Sequence, residues 1–213
     1  MTQSTTGLIL RTRPLTETSL IVNWLTPDCG RVSTVAKGAR RPKSPFRGKL
    51  DLFYLADFSF HRSRRSDLHQ LREVSLREMH RTLRQDLACL QQAAYCAALL
   101  EQSTETETPL PAFFELMTGL LEQLAQSPPQ PRTVFAFELK LLKELGQSPD
   151  SLAAKTTPGT RRILAELTDQ DWPALARLKL SEPQIRELKQ FLHGFLIYHL
   201  GKIPGGRSAV TGA

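Results

Sequence analysis

Cysteine is scarce in this chain. Cys29, Cys89 and Cys96 are the whole supply in 213 residues, and no two of them form a CxxC pair. So sparse and odd a set excludes a disulfide framework and suits reduced thiols in a cytoplasm. His61, His69, His80, His193 and His199 are scattered. Zinc ligands recur at short fixed spacings, so no metal is expected. Long apolar runs are missing as well. Nothing approaches the roughly 20 residues of a membrane helix, and the opening MTQSTTGLIL lacks a basic region followed by an apolar one. No membrane partner is expected. Phosphate-loop, dinucleotide-fold, zinc-protease and nucleophile-elbow signatures are all absent. An enzyme is therefore not expected, nor is a cofactor; an undetected hydrolase is the residual catalytic reading.

What the chain does have is unevenly placed positive charge. The net charge is +7. Residues 1–80 hold 14 Lys and Arg against 7 Asp and Glu, a net of +7, and residues 81–213 hold 14 of each, a net of zero. Residues 31–49, RVSTVAKGARRPKSPFRGK, carry seven basic side chains and no acid. A polyanion is the partner such a segment suits.

Hydrophobic patterning divides the chain into an α+β arrangement of two domains. Residues 7–13, 19–26, 31–37, 50–61 and 68–76 read as five short strands separated by turn residues, which predicts a small closed β-barrel of the OB type over 1–80. From 81 to 205 the period is helical. Residues 83–101 place Leu83, Leu87, Leu90, Ala94, Ala97 and Leu100 on one face. Residues 102–109 read as a polar linker, and 111–125 and 133–145 as helices. Residues 147–160 look irregular, 160–167 and 171–178 short helices, and a last helix runs from an N-cap at Ser181 to a stop at Gly201. Residues 206–213 read as a flexible tail.

The candidate DNA-binding residues are Lys37, Arg40, Arg41, Lys43 and Arg47, with Arg62, Arg64 and Arg65 as a second cluster in the following turn. Glycines at both ends of the first cluster let that loop change direction. Phe46 is placed to stack on a base, and the two clusters are expected to line one groove. Arg11 and Arg13 are candidates to extend it. In the helical part, Arg132, Lys140 and Lys143 are candidates for a rim that takes an acidic partner peptide. Phosphate neutralisation does not separate DNA from RNA, so an RNA-binding or translation-associated OB protein is the alternative.

Ordered similarity to a known family runs along most of the chain. Gly7-Leu8-Ile9-Leu10, Thr16-Glu17-Thr18-Ser19-Leu20, Leu25-Thr26 and Gly30 open it. Val35-Ala36-Lys37-Gly38-Ala39-Arg40-Arg41, Lys43-Ser44, Arg47-Gly48 and Asp67-Leu68-His69-Gln70-Leu71-Arg72-Glu73 continue it. Phe137-Glu138-Leu139-Lys140-Leu141-Leu142, Leu145-Gly146, Pro149-Asp150 and Tyr198-His199-Leu200-Gly201-Lys202 close it. Together they resemble the RecO family of bacterial recombination mediators. The resemblance implies an N-terminal OB-fold, a helical C-terminal domain and no catalytic activity. It implies binding of single- and double-stranded DNA and annealing of complementary strands. It also implies contacts with RecR and the C-terminal tail of the single-strand-binding protein, and indirect service to RecA, in the cytoplasm at the nucleoid. Lys37, Arg40 and Arg41 match the family's basic positions. Many members carry a four-cysteine zinc module where residues 147–161 here have no cysteine, so that module is expected to be absent.

Overall fold

Alternating inward and outward residues make the strands. In β3 (Gly30–Ala36) every second residue is buried, the pattern of a strand with one face on a core. β1 (Thr2–Pro14), β2 (Leu20–Thr26), β4 (Leu55–His61) and β5 (Leu68–Glu78) join it in a closed barrel ordered β1-β2-β3-β5-β4. All pairings are antiparallel except the short β3–β5 match of residues 33–35 with 68–70. This is the five-stranded OB arrangement. The 13-residue β1 closes the barrel because its first half pairs with β4 and its second with β2, with a register shift between Ile9 and Arg11.

The barrel is filled by aromatic rings. Trp24 and Phe58 stack with centroids 4.0 Å apart, and Phe60 packs between Phe58 and His69. Burying such rings stabilises by about 1.5–3 kcal/mol each. The Trp24 indole N–H donates to Thr34 Oγ1 at 2.9 Å, so its polar atom is satisfied inside. β4 starts five residues later than the strand predicted from 50. Asp51 turns the chain there: its carboxylate accepts from Leu52 N–H at 2.8 Å, its carbonyl accepts from Tyr54 N–H, and Phe53 is left-handed at φ 62°.

A computed structural model describes residues 1–147 and 156–212. The chain divides into two units, Met1–His80 with Glu105–Glu115, and Arg81–Thr104 with Leu116–Ala213. Residues 102–109 are thus not a plain linker. β5 covers β3 only at residues 33–35, and the start of the β3 edge is taken by a strap of residues 105–110. There Glu107 N–H donates to Arg31 O and Leu110 N–H to Pro27 O, both at 3.1 Å, and Thr106 bridges Arg31 in parallel.

The second unit is helical. The helix predicted from 83 begins instead at Leu87, because Asp86 caps it by accepting from Ala88 N–H at 2.8 Å; Arg81–Gln85 form a 3-10 turn. Its buried face differs from the predicted stripe. Leu83, Ala97 and Leu100 of that stripe are buried, but in α1 (Leu87–Ser103) Leu87 is 69% exposed and Ala94 is exposed, while Cys89, Ala93 and Cys96 are buried instead. Apolar residues lie on nearly every side of this helix, so periodicity could not set its phase. α2 spans Pro111–Gln126 and α3 spans Pro131–Glu144. α3 is buried almost all round, including Phe135, Phe137 and Glu138 at 0% exposure. α4 (Pro158–Asp169), α5 (Trp172–Leu175) and α6 (Glu182–Leu200) pack against it, as does α1. Of the irregular stretch predicted for 147–160, residues 148–155 lie outside the described residues.

Residues 206–213, expected as a flexible tail, carry a short helix instead. α7 (Arg207–Val210) is seated, with Arg207 6% exposed and Thr211 at 0%. Arg207 forks onto Glu138 of α3, with Nε to Oε1 at 2.7 Å and Nη2 to Oε2 at 2.8 Å. Tyr95 donates its hydroxyl to the same Oε1 at 2.6 Å. Burial, and then the Glu138 charge, push the Tyr95 hydroxyl far above its ordinary range, so it remains a donor. Small polar residues around Arg207 gave the stretch its loose look; one ion pair inverts that.

Candidate nucleic-acid interface

Between β3 and β4, residues 37–54 form consecutive tight turns. Arg41 N–H donates to Gly38 O, Ser44 to Arg41, Arg47 to Ser44 and Lys49 to Phe46, at 3.0–3.2 Å. Gly38 and Gly48 bracket the basic stretch at φ 67° and 71°. Two anchors hold this loop to the barrel. At its start, Arg40 N–H donates to Thr18 O at 3.0 Å and Gly38 N–H to Ser19 Oγ at 3.4 Å. The β1–β2 turn is itself tied by Thr16 Oγ1, which accepts from Ser19 N–H at 3.1 Å. At its middle, Phe46 is 7% exposed and joins Trp24, Phe58 and Phe60 in the barrel core. The base-stacking role predicted for Phe46 is therefore corrected: an apolar ring flanked by cations is worth more inside the barrel than in water, and it plugs the core.

With the loop so anchored, its cations point outward. Lys37, Arg40, Arg41, Lys43 and Arg47 are all exposed. Arg40, Arg41 and Arg47 line one concavity of about 350 Å³ together with Leu20, Pro42 and Leu50. Arg40 Nη1 donates to Thr16 O and Arg47 Nη1 to Pro42 O, each at 3.3 Å. A guanidinium has five N–H donors, so one carbonyl contact orients the fork and leaves donors for phosphate. Lys49 is different, because its Nζ donates to Val74 O at 3.1 Å. Arg11 pairs with Asn23 and Arg13 with Ile21, which in turn pair with Ser33 and Val35. Residues 33, 35 and 37 share one side of β3, so Arg11 and Arg13 share the outer face that leads to Lys37.

The second cluster lies elsewhere. Arg62, Arg64 and Arg65 occupy the β4–β5 turn, and Arg62 pairs with Glu107, whose N–H bonds Arg31. Arg31 and Lys37 are at opposite ends of β3, about 20 Å apart at strand rise. The clusters flank the barrel face rather than sharing the single groove expected. A larger open cleft of about 860 Å³ runs by Lys49 and Arg72, but Asp28, Asp57 and Glu73 also line it, and those carboxylates make it a poor path for phosphate.

Glu107 escaped sequence reading. Its carboxylate meets Arg62 Nη2 through Oε2 and His69 Nε2 through Oε1, the latter at 2.9 Å. Burial pushes the Glu107 carboxyl up, but hydrogen bonds and charge from Arg62 and His69 outweigh it and leave the group below its ordinary value. No spacing signal marks it, since its partners lie about forty residues away.

The helical rim cations each reach an acceptor of their own unit, Lys143 at the exposed surface. Arg132 Nη2 donates to Ala176 O at 2.8 Å. Lys140 Nζ donates to Thr168 O at 3.0 Å and Gln170 O at 2.6 Å, over the Trp172 ring. Lys143 pairs with Asp169 at 2.7 Å. Cys29, Cys89 and Cys96 are free thiols. Among the described residues no group of three or more His, Cys, Asp or Glu is placed to hold a metal ion, and no helix is long and apolar enough to cross a membrane.

Comparison with known proteins places this architecture. A profile described as recombination protein O, N terminal, matches residues 1–80. Its C-terminal counterpart matches residues 84–153 and 151–208. A DNA repair protein RecO of Anaeromyxobacter sp. (strain K) is 30% identical over 231 aligned residues, covering 92% of this chain and 91% of the relative. The DNA repair protein RecO of Bacillus pumilus is 32% identical over 144, covering 68% and 56%, and that of Alkaliphilus metalliredigens 25% over 233, covering 93% and 94%. With a barrel and a helical unit matched in order by both profiles, the chain belongs to the RecO family of recombination proteins.

Proposed function

We propose that this chain serves DNA repair and recombination, the role carried by its family, by binding single- and double-stranded DNA on the barrel and annealing complementary strands. The observation that carries the reading is the anchored loop: Arg40, Arg41 and Arg47 line one concavity, in a stretch with no acidic residue from 31 to 49. Such a surface neutralises phosphates without reading base edges, so sequence preference is weak. Neutralising two strands at once lowers their repulsion and favours pairing. With about five phosphate contacts on a single strand, log affinity falls with log salt at a slope of about −3.5.

The same reading includes contacts with RecR and with the C-terminal tail of the single-strand-binding protein, through which RecA is loaded onto coated strands. Lys140 and Lys143 are left out of the partner rim, because they already hold two carbonyls and Asp169, while Arg132 gives one donor to Ala176 O and keeps others for an acidic partner. The test is annealing of complementary strands coated with single-strand-binding protein, comparing wild type with the combined Lys37→Ala, Arg40→Ala and Arg41→Ala variant. Annealing and affinity should both drop in a folded variant. Unchanged annealing there rejects the site, and tighter binding to matched RNA than to DNA rejects the substrate.

A further inference from the structure

The geometry points to Glu107 as a built-in competitor for phosphate at Arg62: backbone phosphate that seats on the Arg62–Arg65 turn displaces the Glu107 carboxylate and loosens the 105–110 strap from β3. This inference rests on the DNA-binding reading above and adds a regulation to its second cluster.

Three features carry it. First, the carboxylate occupies Arg62 as a phosphate oxygen would, since planar guanidinium forks take both anions in the same way. Arg62 is 43% exposed and Glu107 28%, so an incoming strand can reach the pair. Arg64 and Arg65, both exposed, stand beside it to draw the polyanion in. Second, Glu107 is the side chain that fastens the strap to the turn. It joins Arg62 to His69, which is 1% exposed, is stacked on Phe60 at 5.3 Å, and accepts from Ser63 N–H at 3.3 Å through Nδ1. One carboxylate thus links the turn, the start of β5 and the strap. Third, the strap is held in a conformation that needs those contacts. Glu107 is left-handed at φ 57°, a region non-glycine residues rarely adopt, so the backbone gains by leaving it once the side chain lets go. The seat is also tight. A Cβ on Gly30 would lie 1.9 Å from Thr108 O, so the strap lies flat on that glycine.

The consequence is a coupling within the barrel unit. While Glu107 holds Arg62, the second cluster is partly self-neutralised and the strap covers the β3 edge. When a strand takes Arg62, the edge donors and acceptors at residues 27–31 are uncovered and the segment leading into α2 is freed.

The test pairs affinity with hydrogen exchange at two amides, Glu107 and Leu110, whose donors hold the strap. A homothymidine oligonucleotide at low salt is the probe. In wild type, saturating oligonucleotide should speed exchange at both amides. Glu107→Gln, which keeps the shape and removes the charge, should bind about two- to fivefold tighter, the range expected for removing one exposed ion-pair competitor. Arg62→Gln should bind through the basic loop while leaving exchange at the two amides insensitive to oligonucleotide, and it supplies the readout if Glu107→Gln fails to fold. Wild type that binds oligonucleotide with no faster exchange, or a folded Glu107→Gln that binds no tighter, overturns the competitor. Wild type that binds no oligonucleotide at all overturns the DNA-binding reading instead.

Discussion

Two sets of cations in this molecule have different fates. Lys37, Arg40, Arg41, Lys43 and Arg47 stay at the surface of the barrel, whereas Arg132, Lys140 and Lys143 turn toward the helical unit's own acceptors. The difference lies in what surrounds them. The loop offers no acid, and its carbonyls at residues 38, 41, 44 and 46 accept from its own turns. The ends of α4 and α5 present carbonyls that a helix leaves unpaired, and Lys140 and Arg132 reach them. The loop cations meet no acid and at most one carbonyl each, which leaves guanidinium donors for a partner.

The sharpest contrast comes from the cation most completely absorbed. Arg207→Ala strands the Glu138 carboxylate at 0% exposure, beside a Tyr95 hydroxyl that cannot neutralise it. Breaking a buried pair from one side costs about 3–5 kcal/mol. Urea denaturation should show that loss, while whatever folds keeps its DNA affinity. A loss of affinity without a loss of stability would break the comparison, since it would make Arg207 a ligand-binding residue.

Lys140 is the intermediate case. Burial, then the neighbouring Lys143 charge, lower its pKa, so the fold accepts an electrostatic cost to place it on two carbonyls and over Trp172. Lys140→Ala should cost about 1.5–3 kcal/mol, the range for hydrogen bonds to a charged group, with annealing unchanged. The combined Lys37→Ala, Arg40→Ala and Arg41→Ala variant should behave in reverse. Its unfolding free energy stays within about 0.5 kcal/mol of wild type, while the salt slope of single-strand binding falls by about 2.

How far the sequence could be read follows the same division. The barrel strands were legible because alternation has period two, and a one-residue error would have turned Trp24, Phe58 and Phe60 into solvent. The OB arrangement and the charge asymmetry were legible for the same reason, as local patterns. What was not legible depended on partners distant along the chain. Residues 102–109 read as a linker because the edge of β3 that Glu107 and Leu110 cover is not visible locally. The tail read as loose because Glu138 lies 69 residues before Arg207. Phe46 read as a stacking ring because nothing in SPFRG says that the barrel end is open to receive it. The α1 stripe was legible only in part, with Leu83, Ala97 and Leu100 buried but Leu87 and Ala94 exposed: apolar side chains at Cys89, Ala93, Cys96 and Leu99 let more than one phase fit, and the Asp86 cap decided where counting starts.

The smallest effect probes an anion instead of a cation. Glu187 on α6 accepts from Thr157 N–H at 2.7 Å, from the Thr157 hydroxyl at 2.9 Å and from the Thr160 hydroxyl, and so ties the N-terminus of α4 to α6. The Thr160 hydroxyl first, then the Thr157 backbone N–H, hold its carboxyl below the ordinary value of 4.5. A carboxylate depressed in the folded state adds stability above its unfolded value and loses it as pH falls through the folded one. The urea midpoint of wild type should therefore drop more steeply below about pH 4.5 than that of Glu187→Gln, with Asp57 and Glu107 contributing equally to both curves. The variant should be less stable at pH 7, and the two curves should converge in acid. Parallel curves would mean that α4 is seated by its apolar packing on α3 and α6, and that the helical unit, unlike the barrel's Arg62–Glu107–His69 link, places no weight on an exposed charge.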